Sequence, residues 1–185
     1  MKEKNRCGWS TGDPLYIKYH DEEWGTPLHD DRKLFEMLIL EGFQAGLSWI
    51  TILRKRENFR EAFDNFDAKK IAAYDKRKIN SLLKDEGIVR NRLKIEAART
   101  NAKAFLRIQK EFGSFNKYIW QFVNNKPIKN KFKSLKDIPP KTQISDNMSR
   151  DLKKRGFKFV GSTICYAFMQ ATGMVNDHIT ECWKY

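Results

Sequence analysis

Apolar residues recur at helical spacing along most of this 185-residue chain, and no two short alternating runs are separated by a hairpin-length turn. That single period restricts the chain to a fold of packed helices. The stretch DDRKLFEMLILEG starts acidic, sets Leu34, Phe35, Leu38 and Ile39 on one face, and reaches Gly42, where the pattern predicts a stop. A second helix, LSWITILRKRENFREAF, carries Trp49, Ile52, Leu53 and Phe59 as its buried stripe. Between the two, EGFQAG holds two glycines and a Gln, which predicts an exposed turn.

Further along, Asp67 is the expected cap of a short helix through Tyr74, and DKRKINSLLK reads as a helix ending before Gly87. NRLKIEAARTNAKAFLRIQKEFG predicts a long amphipathic helix closed by Gly113, with Ser114 capping SFNKYIWQFV. Residues 124–145 carry many lysines and prolines without a period and predict a surface loop. Asp146 is the expected cap of NMSRDLKKRG, and STICYAFMQATG reads as a buried helix between glycines. No repeat, low-complexity tract or linker interrupts the pattern. The expected architecture is one all-α domain over residues 1–185 whose two ends meet.

Charge narrows the partner. The formal net charge is +13, yet residues 1–50 carry 6 Lys+Arg against 9 Asp+Glu, so the basic excess lies in the remainder. A basic body of this kind suits a polyanion, most simply nucleic acid, although lysine excess also serves solubility alone. A hydrophobic content of 41% excludes a disordered chain, and no apolar run is long enough to span a bilayer. The opening MKEKNRCGWS runs from charges into a motif without the apolar stretch of a signal peptide, so a cytoplasmic protein is expected. Three cysteines without an export signal suggest thiols or metal ligands over disulfides.

Two of those cysteines fall near opposite ends. His178 and Cys182 stand four apart, on one side of any helical turn, while Cys7 and His20 are the soft ligands of the first segment. Together they make a Cys₂His₂ set suited to tetrahedral Zn²⁺, which would join segments 7–20 and 178–182. Four protein ligands would leave no position for substrate, so such an ion would be structural. The same residues are also compatible with an ordinary core cysteine and polar histidines. His29 is read as a surface residue and Cys165 as buried and inert. The H-x-E with P-C-x-x-C pattern of zinc deaminases is absent.

The blocks CGW, DPLYIKYHDEEWG, LFEMLILEGFQAGLSWITILRKRENFR and KKRGFKFVGSTICYAFMQATGMVNDHI resemble the DNA-3-methyladenine glycosylase I family across nearly the whole chain, from Cys7 to Cys182. The resemblance implies an all-α helix-hairpin-helix DNA glycosylase fold, release of 3-methyladenine from alkylated double-stranded DNA, and a structural zinc ion held by Cys7, His20, His178 and Cys182. It implies that residues 76–98 form the helix-hairpin-helix segment, with Gly87 and Ile88 at its turn contacting DNA. A lone Gly-Ile between helices would otherwise be a plain helix end and a core residue. A monomer is expected.

A glycosylase must take its base out of the stack, which requires a wedge and a base-shaped pocket. By the resemblance, Gln44, Gly46 and Leu47 fill the gap left by the extruded nucleotide, and Tyr16, Tyr19, Glu41 and Trp49 bind the base. Without it, Trp49 and Tyr19 read first as core aromatics and Glu41 as a carboxylate that caps or solvates a helix end. Methylation at N3 makes the attached adenine cationic, so aromatic faces and a carboxylate favour it over its neutral parent. Glu41 is the candidate catalytic residue. The long helix after the hairpin contains no Asp, the next being Asp137, so no water-activating base is assigned. Trp9 and Trp24 are expected around the metal ligands or in the pocket wall.

Overall fold

The computed structural model describes residues 4–185, so the first three residues of the MKEKNRCGWS opening lie outside the described part. Among the described residues the chain forms nine α-helices and two two-residue strands. The helices are α1 (Pro14–Glu22), α2 (Asp31–Gln44), α3 (Trp49–Ala62), α4 (Ala68–Ala72), α5 (Lys76–Leu82), α6 (Arg92–Phe112), α7 (Phe115–Trp120), α8 (Gln143–Lys154) and α9 (Ser162–Ala171). β1 (Ile128–Lys129) pairs parallel with β2 (Val175–Asn176), Ile128 opposite Val175. The fold is all-α, as the apolar period predicts. No helix of the described residues is long and apolar enough to cross a membrane.

Most helix starts follow the predicted chemistry. The side chains of Asp67 and Ser114 accept from backbone N–H groups of the first turns of α4 and α7, Gly113 closes α6 at φ 83°, and Asn91, not among the expected caps, caps α6 in the same way. Two expectations are corrected. α8 begins before Asp146: Thr142 and Ser145 form a reciprocal capping box, which leaves Asp146 inside the first turn, where its charge faces the positive end of the helix. α2 does not stop at Gly42 but runs to Gln44. There glycine gives room for a neighbour: a Cβ at Gly42 would lie 3.3 Å from the Cβ of Phe159. α1, whose bounds the apolar period does not mark, is started by Pro14 and capped by Asp13.

α2 is the central element. Every residue from Leu34 to Phe43 is buried, so the helix is surrounded on all faces and even Glu36 and Glu41 lie inside. The main core gathers around it from α3 to α9. A smaller apolar group, Cys7, Tyr19, Trp24, Leu53 and Cys182, lies at the chain ends, and Trp49 packs against both. The ends do meet: Trp183 N–H donates to Asn5 O (2.9 Å) and the Asn5 amide donates to Glu181 O (2.8 Å). The 124–145 segment has no α-helix before Gln143, yet it is not purely surface, because Leu135 and Ile138 turn toward the site described next.

Candidate functional site: a soft-ligand quartet and an aromatic cavity

Cys7, His20, His178 and Cys182 are all buried, and their ligand atoms all lie within 4.8 Å of one another. Cys182 Sγ is 3.4 Å from His20 Nε2 and 3.5 Å from His178 Nδ1, and Cys7 Sγ is 3.6 Å from His178 Nδ1. The outward nitrogens are engaged as metal-bound imidazoles require. His20 Nδ1 meets the Asp21 carboxylate at 2.8 Å, and His178 Nε2 meets the Trp24 carbonyl at 3.0 Å. Asp21 is in turn gripped by the Arg6 guanidinium, which holds its carboxyl well below the usual range. Burial pushes the Cys7 thiol up and the imidazoles of His178 and His20 down. A divalent ion would reverse the first effect by taking the thiolate as ligand. The donor set, the partners of the outward ring nitrogens and the closeness of the four atoms all fit one tetrahedral ion.

The quartet adjoins a cavity. Trp24 stands edge-on to His178 (4.6 Å between ring centres) and to Trp9 (5.1 Å), and Trp9 reaches Tyr16 (5.4 Å). Both tryptophans therefore serve the ligand surroundings and the pocket wall at once. The cavity is about 410 Å³, lined by the expected Tyr16, Tyr19, Glu41, Gln44 and Trp49. Tyr19 and Trp49 lie 5.5 Å apart as tilted rings. Tyr16 also braces the backbone. Its hydroxyl accepts the Ile50 N–H at 3.1 Å, joining α1 to the first turn of α3, where Ser48 supplies no side-chain cap. Leu135, Ile138, Ala167 and Gln170 complete the wall, and none of them belongs to the residues expected from the sequence.

Among the described residues, two buried side-chain polar atoms have no hydrogen-bond partner, Glu41 Oε2 and Trp49 Nε1. Both residues line this one cavity. An acceptor and a donor kept dry and unpaired are costly to the fold, and they suit a ligand that supplies the complementary groups. Burial alone pushes the Glu41 carboxyl from about 4.5 up to about 8. Between those values the folded protein keeps a proton that the unfolded chain has lost. Its stability therefore falls as pH rises through that window and levels off above it. Glu41→Gln, which cannot ionise, is expected to melt roughly 10 °C above the parent at pH 8 and close to it at pH 4.5. Equal differences at the two pH values in scanning calorimetry would remove the carboxyl as the cause.

Past α2, the turn carries Gly46 at φ 80°, a conformation suited to glycine, and Leu47 at 42% exposure. Gln44 faces the cavity, and Gly46 and Leu47 lie outside it. The turn between α5 and α6 holds Gly87 and Ile88. The Ile88 side chain is in the core, so only backbone there remains for a ligand, and Gly87 N–H already donates to Asp85 (2.8 Å). Asp137 is spent locally, accepting from Ser134 N–H. His29 is exposed and bonded to Asn116, and Cys165 is fully buried with its thiol raised to about 12 by burial.

A family model described as methyladenine glycosylase matches residues 9–185. DNA-3-methyladenine glycosylase 1 of Escherichia coli is 53% identical over 180 residues, 97% of this chain and 96% of that protein. DNA-3-methyladenine glycosylase of Haemophilus influenzae is 51% identical over 177 residues, 96% of each. Among solved structures, a crystal structure of 3-methyladenine DNA glycosylase I superposes with a TM-score of 0.95 at 54% identity, covering 97% of this chain and 98% of that one. The Staphylococcus aureus enzyme, described for the structural basis of its 3-methyladenine recognition, gives 0.94 at 39% identity, covering 97% and 96%.

Proposed function

The chain belongs to the methyladenine glycosylase family, and on that premise we propose that it hydrolyses the bond between 3-methyladenine and deoxyribose in alkylated double-stranded DNA. The observation that carries the reading is the pair of unpartnered polar atoms, Glu41 Oε2 and Trp49 Nε1, inside an aromatic-walled cavity. A 3-methyladenine still attached to sugar is cationic. Tyr16, Tyr19 and Trp49 attract it through their faces, and its arrival favours ionisation of Glu41, whose proton burial otherwise retains. Neutral adenine brings no charge to repay that desolvation, so it is rejected.

Once the base is held, the C1′–N9 bond breaks with its electron pair passing to the purine, whose positive charge is thereby cancelled. The oxocarbenium-like sugar left behind is captured by water, which releases a proton. A cationic purine is already a good leaving group, so orientation and charge stabilisation carry much of the rate. Glu41 is the group in the site able to contribute a negative charge, and Gln44, Gly46 and Leu47 fill the gap in the duplex. Cys7, His20, His178 and Cys182 hold Zn²⁺ as a structural clasp, and no step of hydrolysis passes through it. Residues 76–98 act as the helix-hairpin-helix segment, Gly87 and Ile88 meeting DNA phosphates through backbone alone. The whole of 1–185 works as one domain.

Incubating methylated duplex DNA with the purified protein and separating released bases by chromatography tests the reading. A 3-methyladenine peak is expected, and none above a heat-killed control would reject it.

A further inference from the structure

α6 carries two buried polar side chains seven residues apart, which puts them on one face. Lys94 donates through Nζ to the carbonyls of Phe43 (2.8 Å) and Ala45 (2.6 Å), closing the end of α2 from which Gly46 and Leu47 project. Asn101 grips the backbone of Lys158 from both sides: its amide donates to the Lys158 carbonyl (3.0 Å) and its oxygen accepts the Lys158 N–H (2.7 Å). One helix thus fixes two separate segments, the turn after α2 and the connection between α8 and α9.

The residue after Lys158 shares its backbone conformation with Phe66 (φ 55°), but Phe66 lies in the core and Phe159 does not. Phe159 has φ 55°, the left-handed region that glycine and asparagine favour and bulky aromatics avoid, and it is 36% exposed. Gly42 admits it closely, the two joined also through the small space they share with Lys94 and Asn101. Strain of this kind, held by a dedicated clamp yet used to present an aromatic side chain at the surface, marks positions with a role beyond packing. Leu47 (42%) and Leu93 (68%) are the other exposed large apolar side chains beside the same two anchors. Exposed Lys153, Lys154 and Lys158 precede Phe159 in the chain and supply the charge that a phosphate backbone requires.

Resting on the glycosylase reading, we infer that Phe159 is a second apolar contact on the opened duplex. Leu47 fills the gap left by the extruded nucleotide, and the Phe159 ring packs on an unstacked base beside it. Lys94 and Asn101 are the positioning residues that keep the two tips at a fixed separation.

Phe159→Gly removes the ring and relaxes the backbone, so its melting temperature should equal or exceed that of the parent. Its affinity for a duplex containing a tetrahydrofuran abasic analogue should fall about tenfold, and release of 3-methyladenine from methylated duplex should fall in step. Affinity for free 3-methyladenine should not change, and Phe159→Tyr should restore duplex binding. Unchanged duplex affinity in the folded Gly variant, or a parallel loss of free-base binding, would overturn the inference. If the parent protein releases no base, the glycosylase reading fails, and the duplex affinities of parent and variant still decide whether Phe159 contacts DNA.

Discussion

Stripping the protein with a strong zinc chelator, or replacing Cys182 with Ser, is expected to lower the melting temperature by roughly 10–20 °C, on the order of 5 kcal/mol for a chain of this size. The other bonds at the chain ends are few and largely exposed, among them Trp183 N–H to the Asn5 carbonyl, the Asn5 side-chain amide to the Glu181 carbonyl, the Trp183 indole to Asp21, Lys4 over the Trp183 ring and the Arg6 to Asp21 pair. Without an ion, two thiols and two imidazoles would remain buried with only weak sulfur contacts to one another. Because Trp24 touches His178 and Trp9 touches both Trp24 and Tyr16, loosening the quartet should also reduce affinity for the free base. Calorimetry paired with elemental analysis checks this. Less than one zinc per fully active molecule, or a melting temperature indifferent to the chelator, would end the clasp proposal. An apo-protein that melts normally but releases no base would instead assign the ion to chemistry.

The helices were legible where a local rule acts over a few residues. Asp67 and Ser114 bond to amides within their own first turns, and the stripe Leu34, Phe35, Leu38, Ile39 follows from the period alone. Local rules also misled. Gly42 has the composition of a stop, but its missing side chain answers to Phe159, more than a hundred residues away. Thr142 and Asp146 are both credible caps, and the reciprocal bond to Ser145 decides between them.

Of the cavity, the residues from α1 and α2 and the start of α3 were legible through the family resemblance, while Leu135 and Ile138 were hidden in a lysine-rich segment without a period. Lys94 was one basic residue among 36, and its partners at Phe43 and Ala45 lie about fifty positions earlier in the chain. No signal in its neighbourhood distinguishes it from a solvated lysine. The β1–β2 pairing spans only two residues of each strand, too few for an alternation to register.

Glu41→Ala is expected to weaken binding of free 3-methyladenine by about one to two orders of magnitude and to reduce its release from DNA at least as much, since a buried hydrogen bond to a charged group is worth roughly 1.5–3 kcal/mol. The fold should survive, because Glu41 Oε2 has no partner to abandon. Glu41→Gln separates two contributions. It keeps a carbonyl acceptor against the base edge but cannot turn negative when the cation arrives. Free base affinity should therefore fall less than in the Ala variant, while the rate on methylated DNA falls nearly as far. Trp49→Ala should act differently, weakening neutral purines as well, through the lost stacking face, and cationic ones more, through the lost cation–π attraction. NMR titration with the free base and single-turnover release from methylated duplex measure the two sides. Were Gln as active as the parent, the carboxylate would serve only to position the base, and catalysis would have to come from the geometry of the sugar and its attacking water.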